Sequence, residues 1–150
     1  MSIEPVLAPH KVVPLFTLPD KHGQPQNLAR QRGREHWALL ILGPDLDPRP
    51  YLERLAGEIG AWRGMPARGI VVVPDAEQAG ALSGLPFSVL IDADERVRRR
   101  FLPPEARAGV FVLDRYGTLY HQWLVGNAAE LPAPGEISAW LDAISMQCSV

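Results

Sequence analysis

The stretch Ala38-Leu39-Leu40-Ile41-Leu42-Gly43-Pro44-Asp45-Leu46-Asp47-Pro48-Arg49-Pro50-Tyr51 reads as a strand, a loop and the start of a helix. The apolar run from Trp37 to Leu42 has no polar alternation, as expected of a strand covered on both faces, and Gly43-Pro44 ends it. Asp47 is placed to cap a helix, with Pro48 at its first position, where a missing N–H costs nothing. Leu52, Leu55, Ala56, Ile59 and Trp62 then recur every three or four residues and predict one apolar stripe, stopped by Gly64 and Pro66.

Outward from this unit the pattern continues in both directions. Upstream, residues 14–20 and 24–28 flank His22-Gly23 and predict a short hairpin, with Gly23 free to take a positive φ. Downstream, Gly69 to Val73 and Phe87 to Ile91 read as further buried strands. Between them Asp75 caps a short helix through Gln78, Ala79 and Leu82. Val97 and Phe101 mark another helical turn or two. Residues 109–114 and 118–125 form a second hairpin around Arg115-Tyr116-Gly117, and Glu136 to Met146 closes as a helix burying Ile137, Trp140, Leu141 and Ile144. A hairpin, three βα repeats, then ββα resembles the thioredoxin-like α/β fold: a mixed central sheet with helices on both faces and an N-terminal β-hairpin extension. The expected organisation is a flexible segment over residues 1–12, one domain over 13–146 and a tail over 147–150.

The 150 residues suffice for one domain with a sizeable core. A net charge of -2 leaves no electrostatic footprint for nucleic acid or an anionic membrane, so neither is expected as a partner. Arg96, Arg98, Arg99 and Arg100 follow Asp92, Asp94 and Glu95, and read as a solvated helix face with acids early and bases late. Met1 to His10 lacks the apolar run of a signal peptide, and no apolar run reaches the length of a membrane span. The single cysteine, Cys148, rules out an internal disulfide and a multi-cysteine zinc site, and together these features predict the cytoplasm. His10, His22, His36 and His121 show no metal-ligand spacing and read as isolated turn or surface residues. Trp37, Trp62, Trp123 and Trp140 read as core. No cofactor and no metal is expected.

Three phrases are similar to the peroxiredoxins, the alkyl hydroperoxide reductase and thiol-specific antioxidant family. Residues 14–20 followed by Gly23 resemble its opening P-x-F-x-L-P-D-x-x-G, residues 85–94 its L-P-F-x-x-L-x-D-x-D, and residues 109–117 its G-x-F-I-I-D-x-x-G. The resemblance runs from about Val13 to Ile144 and implies P-x-x-x-T-x-x-C at the start of the first long helix. There the helix N-terminus lowers the thiol pKa, the threonine places peroxide, a distant arginine polarises the O–O bond and the proline shields the site. Laid on this chain without a gap, Pro44 keeps the proline, Pro48 replaces the threonine and Tyr51 replaces the cysteine. The arginine position falls on Ala108, with Arg107 one residue earlier. A one-residue slip turns a side chain to the other face unless a bulge re-aims it. Thioredoxins carry a proline at that same position, which Ala108 also lacks.

A phenol with a reference pKa of about 10 is roughly a thousandth ionised at neutral pH, and its oxygen does not attack peroxide. The resemblance therefore implies a degenerate, redox-inactive member that works by binding a protein partner, a second copy of itself as a homodimer, or a small ligand at the vacated pocket. Tyr51 is expected to pack in that pocket. Two alternatives stay open, both acting through Cys148: a thiol-dependent peroxide reductase, and a redox sensor pairing this thiol with another.

Overall fold

The computed structural model describes residues 3–62 and 64–147. Two short strands, β1 (Thr17–Pro19) and β2 (Pro25–Asn27), form the expected hairpin. Its turn closes on Asp20, whose Oδ1 accepts the His22 and Gln24 N–H groups at 2.9 and 3.0 Å, and Gly23 takes φ +78°. A five-stranded sheet follows, built from β3 (His36–Leu42), β4 (Ala67–Val73), β5 (Ser88–Ile91), β6 (Ala108–Leu113) and β7 (Leu119–Val125), in the order β5-β4-β3-β6-β7. The pairs β3–β4 and β4–β5 are parallel, while β3–β6 and β6–β7 are antiparallel, which makes the sheet mixed.

Strand alternation sorts the core into two layers. Ala38, Leu40, Leu42, Val71, Val73, Val110 and Val112 face α1 (Arg49–Ala56), α2 (Ala76–Ala81) and α4 (Pro134–Gln147), which contribute Leu52, Leu55, Ala79, Ile137 and Leu141. Trp37, Leu39, Ile41, Ile70, Val72 and Phe111 face the other way, against the N-terminal segment and α3 (Arg96–Phe101). There the Phe101 ring meets Phe16 and Phe111 edge-on at centroid distances of 5.8 and 5.3 Å, a geometry worth about 0.5–1.5 kcal/mol per pair beyond area burial. Every residue of β3 is buried, because it is the middle strand with both faces covered.

Asp75 caps α2 as expected, accepting the Gln78 N–H at 2.8 Å. The first long helix departs from its sequence reading at both ends. Pro48 occupies the cap position and Pro50 lies in the first turn, while Asp47 makes only a 3.4 Å contact with the Arg49 N–H. Helix α1 then stops at Ala56, and the stripe continues through a separate 3-10 turn, Ile59–Trp62. Gly57 sits at the break, where its N–H bonds back to the Arg54 carbonyl, and a second glycine, Gly60, lowers helix propensity further. Asp92 is not a solvated acid: it is 2 % exposed, and its carboxylate receives the N–H groups of Val97 and Arg98 at 3.3 and 2.9 Å, capping α3. Residues 10–13 run beside the start of β7, with the His10 N–H bonded to the Leu119 carbonyl at 2.8 Å.

Candidate functional site

The loop from Gly43 to Pro48 delivers the chain from the end of β3 into α1, and Tyr51 lies in the helix's first turn. Pro44 is exposed and its carbonyl accepts from Gln78 Nε2 at 3.1 Å, whereas Pro48 is buried. Tyr51 is 5 % exposed and packs in the layer beneath α4 with Leu52 and Leu55. Its hydroxyl donates to the Pro132 carbonyl at 2.7 Å, just before α4 begins. Burial pushes the phenol up to about 12; the nearby Arg54 guanidinium, 5.9 Å from the ring, pulls the other way and Glu136 adds to the rise. A neutral phenol with its only proton committed to a carbonyl has no nucleophile to offer.

Arg107 and Ala108 mark the opposite side of the β3 terminus. Leu42 pairs with Ala108, and the Gly43 N–H donates to the Arg107 carbonyl at 2.8 Å. Ala108 is fully buried. The Arg107 side chain is 57 % exposed and reaches Asp45, Nη1 to Oδ2 at 3.7 Å. The register shift between β6 and β7 falls at Val112/Leu113, where Tyr120 is the extra residue on β7, at the far end of β6 from Arg107, so it does not re-aim that side chain. Arg98 comes close instead. Half-buried, it pairs with Glu95 at 3.2 Å and sits where a Cβ on Gly43 would meet its Nη2 at 3.3 Å, so this member of the arginine run is not a solvated face residue. Arg96, Arg99 and Arg100 are exposed.

Cys148, with the redox roles expected of it, lies outside the described residues. Two other readings need correction. His36 is 1 % exposed and no surface residue: its Nδ1 accepts the Arg115 N–H at 2.9 Å, and burial, with Arg115 beside it and Asp114 opposing, lowers its pKa. His121 lies in an aromatic stack, parallel to Trp140 at 4.6 Å and edge-on to Trp123 at 4.4 Å, and burial lowers its pKa against the pull of Glu136. Those two tryptophans are only half-buried, while Trp37 and Trp62 are core. Among the described residues no group of His, Cys, Asp or Glu side chains could hold a metal, and no helix is long and apolar enough to cross a membrane.

The larger openings lie away from Tyr51. A groove of about 560 Å³ runs between the hairpin and α3, and one of about 440 Å³ lies beside Arg99 and Pro103. A third, of about 210 Å³, lies at the β5 border of the sheet, where sequence reading singled out nothing. Its one charged strand residue, Arg68, lies just before the predicted strand Gly69 to Val73 and within the observed β4, which begins two residues earlier than read.

No family model matches the chain, and no curated protein matches it in sequence. Solved structures do. The mitochondrial 2-Cys peroxiredoxin of Plasmodium falciparum superposes with a TM-score of 0.71 at 16% identity, covering 91% of this chain and 94% of that one. The thiol peroxidase of Chromobacterium violaceum gives 0.72 at 16% identity, over 95% and 90%. Peroxidoxin BcpB of Mycobacterium tuberculosis gives 0.69 at 16% identity, over 95% and 98%. Identities this low speak for the fold alone, and with the mixed five-stranded sheet and its two helical layers they establish that the chain has a thioredoxin-like α/β fold.

Proposed function

We propose that this chain is a peroxiredoxin-like, redox-inactive member of the thioredoxin-fold group that works by binding, in the cytoplasm, a protein (a second copy of itself included) or a small ligand, and neither nucleic acid nor membrane. The observation that carries the reading is the Tyr51 hydroxyl, buried and donating to the Pro132 carbonyl at 2.7 Å where a peroxide-reducing relative needs an ionised thiol. Pro48 brings no hydroxyl to that helix start, and Arg107 is engaged at the surface with Asp45. Peroxide reduction needs a sulfur nucleophile to take up oxygen and a cation to polarise the O–O bond. Among the described residues no cysteine stands at this helix start, so the Arg54 guanidinium, 5.9 Å from the Tyr51 ring, has no thiolate to serve.

Peroxide consumption with a dithiol reductant tests the reading. The wild-type chain should show no turnover above its Cys148→Ser variant. Turnover that disappears in Cys148→Ser would overturn the proposal in favour of a thiol-dependent reductase. A disulfide-linked species on a non-reducing gel after mild oxidation would overturn it in favour of a sensor.

A further inference from the structure

Strand β5 borders the sheet, and the turn of the β1–β2 hairpin folds over that border, joined to it by the Asp20–Leu90 bridge. The cavity of about 210 Å³ opens between them, and its two walls differ in chemistry. Toward α2 the lining is apolar, from Ala79, Leu82, Leu85 and Phe87. Toward the hairpin it is polar and carries Lys21, Arg68 and Ser88.

Arg68 is half-buried, and every acceptor it uses is neutral. Its Nε and Nη2 both donate to Ser88 Oγ, and its Nη1 donates to Gln31 Oε1. Among the described residues it makes no ion pair. Of its five N–H donors these bonds use three, which leaves one on each terminal nitrogen. The sole carboxylate on the wall, Asp20, is spent on its own turn, accepting from the His22 and Gln24 N–H groups and from Gln26 Nε2. A cation withdrawn from water without a counter-charge is unfavourable, and an anion in front of it makes strong charge-assisted hydrogen bonds.

We propose that this cavity binds a small organic monocarboxylate with a compact apolar body, its carboxylate on Arg68 and Ser88 and its body against Leu82, Leu85 and Phe87. Lys21 and Arg68 against Asp20 leave one net positive charge, which suits a monoanion. The size fits as well, since a cavity of about 150 Å³ holds benzene and this one leaves room for a carboxylate beside such a ring. The lining of this site includes neither Tyr51 nor Pro132, so its failure leaves the reading of the helix start untouched, and the peroxide assay reports on that separately.

Benzoate is the probe, titrated into the 15N-labelled full chain at low salt, with acetate and benzyl alcohol as the charge-only and body-only controls. Saturable amide shifts are expected at Lys21, His22 and residues 83–88, with benzoate binding at least about tenfold more tightly than either control. Arg68→Gln should weaken benzoate by about tenfold and leave benzyl alcohol within about twofold, and Lys21→Gln, in the exposed turn, should weaken benzoate by about two- to threefold. Should Arg68→Gln fail to fold, the ranking of the three probes on the wild-type chain and the Lys21→Gln result decide. Absence of saturable shifts there, shifts centred elsewhere, or acetate or benzyl alcohol equal to benzoate would overturn the proposal.

Discussion

The Tyr51 hydroxyl reaches across 81 positions of chain to the Pro132 carbonyl and ties the first turn of α1 to the entry of α4. The aromatic ring is thereby buried at the helix start and its hydroxyl is held by a hydrogen bond. Tyr51 is therefore a structural residue of this helix start, tying two helices together through a buried hydrogen bond.

Tyr51→Phe keeps the ring and removes the donor, leaving the buried Pro132 carbonyl without this partner. Chemical denaturation should show a loss of about 1–2 kcal/mol, the cost of a buried carbonyl left unsatisfied. An unchanged midpoint would mean that the hydrogen bond contributes nothing.

Tyr51→Cys, made together with Cys148→Ser, should place a thiol at the start of α1 without creating a peroxidase. Burial raises the thiol pKa, Pro48 offers no hydroxyl, and Arg107 faces Asp45. Stopped-flow measurements should give a rate with hydrogen peroxide within about tenfold of free cysteine. A rate thousands of times higher, on the order of an activated thiolate, would show that the rest of the site is intact.

His36 makes stability depend on pH. Its folded pKa lies below the ordinary value of about 6.5, so the unfolded chain binds the proton more readily. Stability is fully present above that unfolded value and falls as pH drops through it toward the depressed folded one. His121 acts in the same direction. Urea midpoints should decrease from pH 7.5 to pH 5, and His36→Asn, whose side-chain oxygen can still accept the Arg115 N–H, should flatten part of that fall.

Gly43 holds β3 against the start of β6. A Cβ there would lie 2.6 Å from the Arg107 carbonyl oxygen, which is backbone and cannot rotate away. Gly43→Ala should cost about 1–3 kcal/mol, while Gly60→Ala, with nothing within 4 Å, should cost nothing or stabilise by a few tenths. Equal midpoints for the two variants would contradict the close approach.

The strands were legible because their apolar runs are continuous and punctuated by Gly, Pro and Asp. The runs 37–42, 69–73 and 87–91 needed no distant information, and the strands begin within two residues of them. The end of α1 was not legible, since Leu52, Leu55, Ile59 and Trp62 keep one face whether the chain is α-helical or turns tighter after Gly57. What fixes Trp62 is remote: its Nε1 donates to Ser138 Oγ at 2.8 Å, and that hydroxyl bonds Glu58 at 2.9 Å. His36 looked like a surface residue because its partner, the Arg115 N–H, comes 79 positions later. Outward placement of Arg107 followed from the two-residue period of strands. The grouping of Gln31, Arg68 and Ser88 did not, because it exists only once three separate segments are side by side.

The central claim is that a neutral, fully engaged phenol occupies the start of α1, and 13C NMR of the chain labelled at the tyrosine ζ carbons tests it most directly. With Tyr51→Phe assigning the resonance, the Tyr51 signal should remain that of a neutral phenol to pH 11, since its pKa is pushed up to about 12. A Tyr51 resonance that titrates with a midpoint at or below 10 would reveal an exposed or activated phenol and contradict the account.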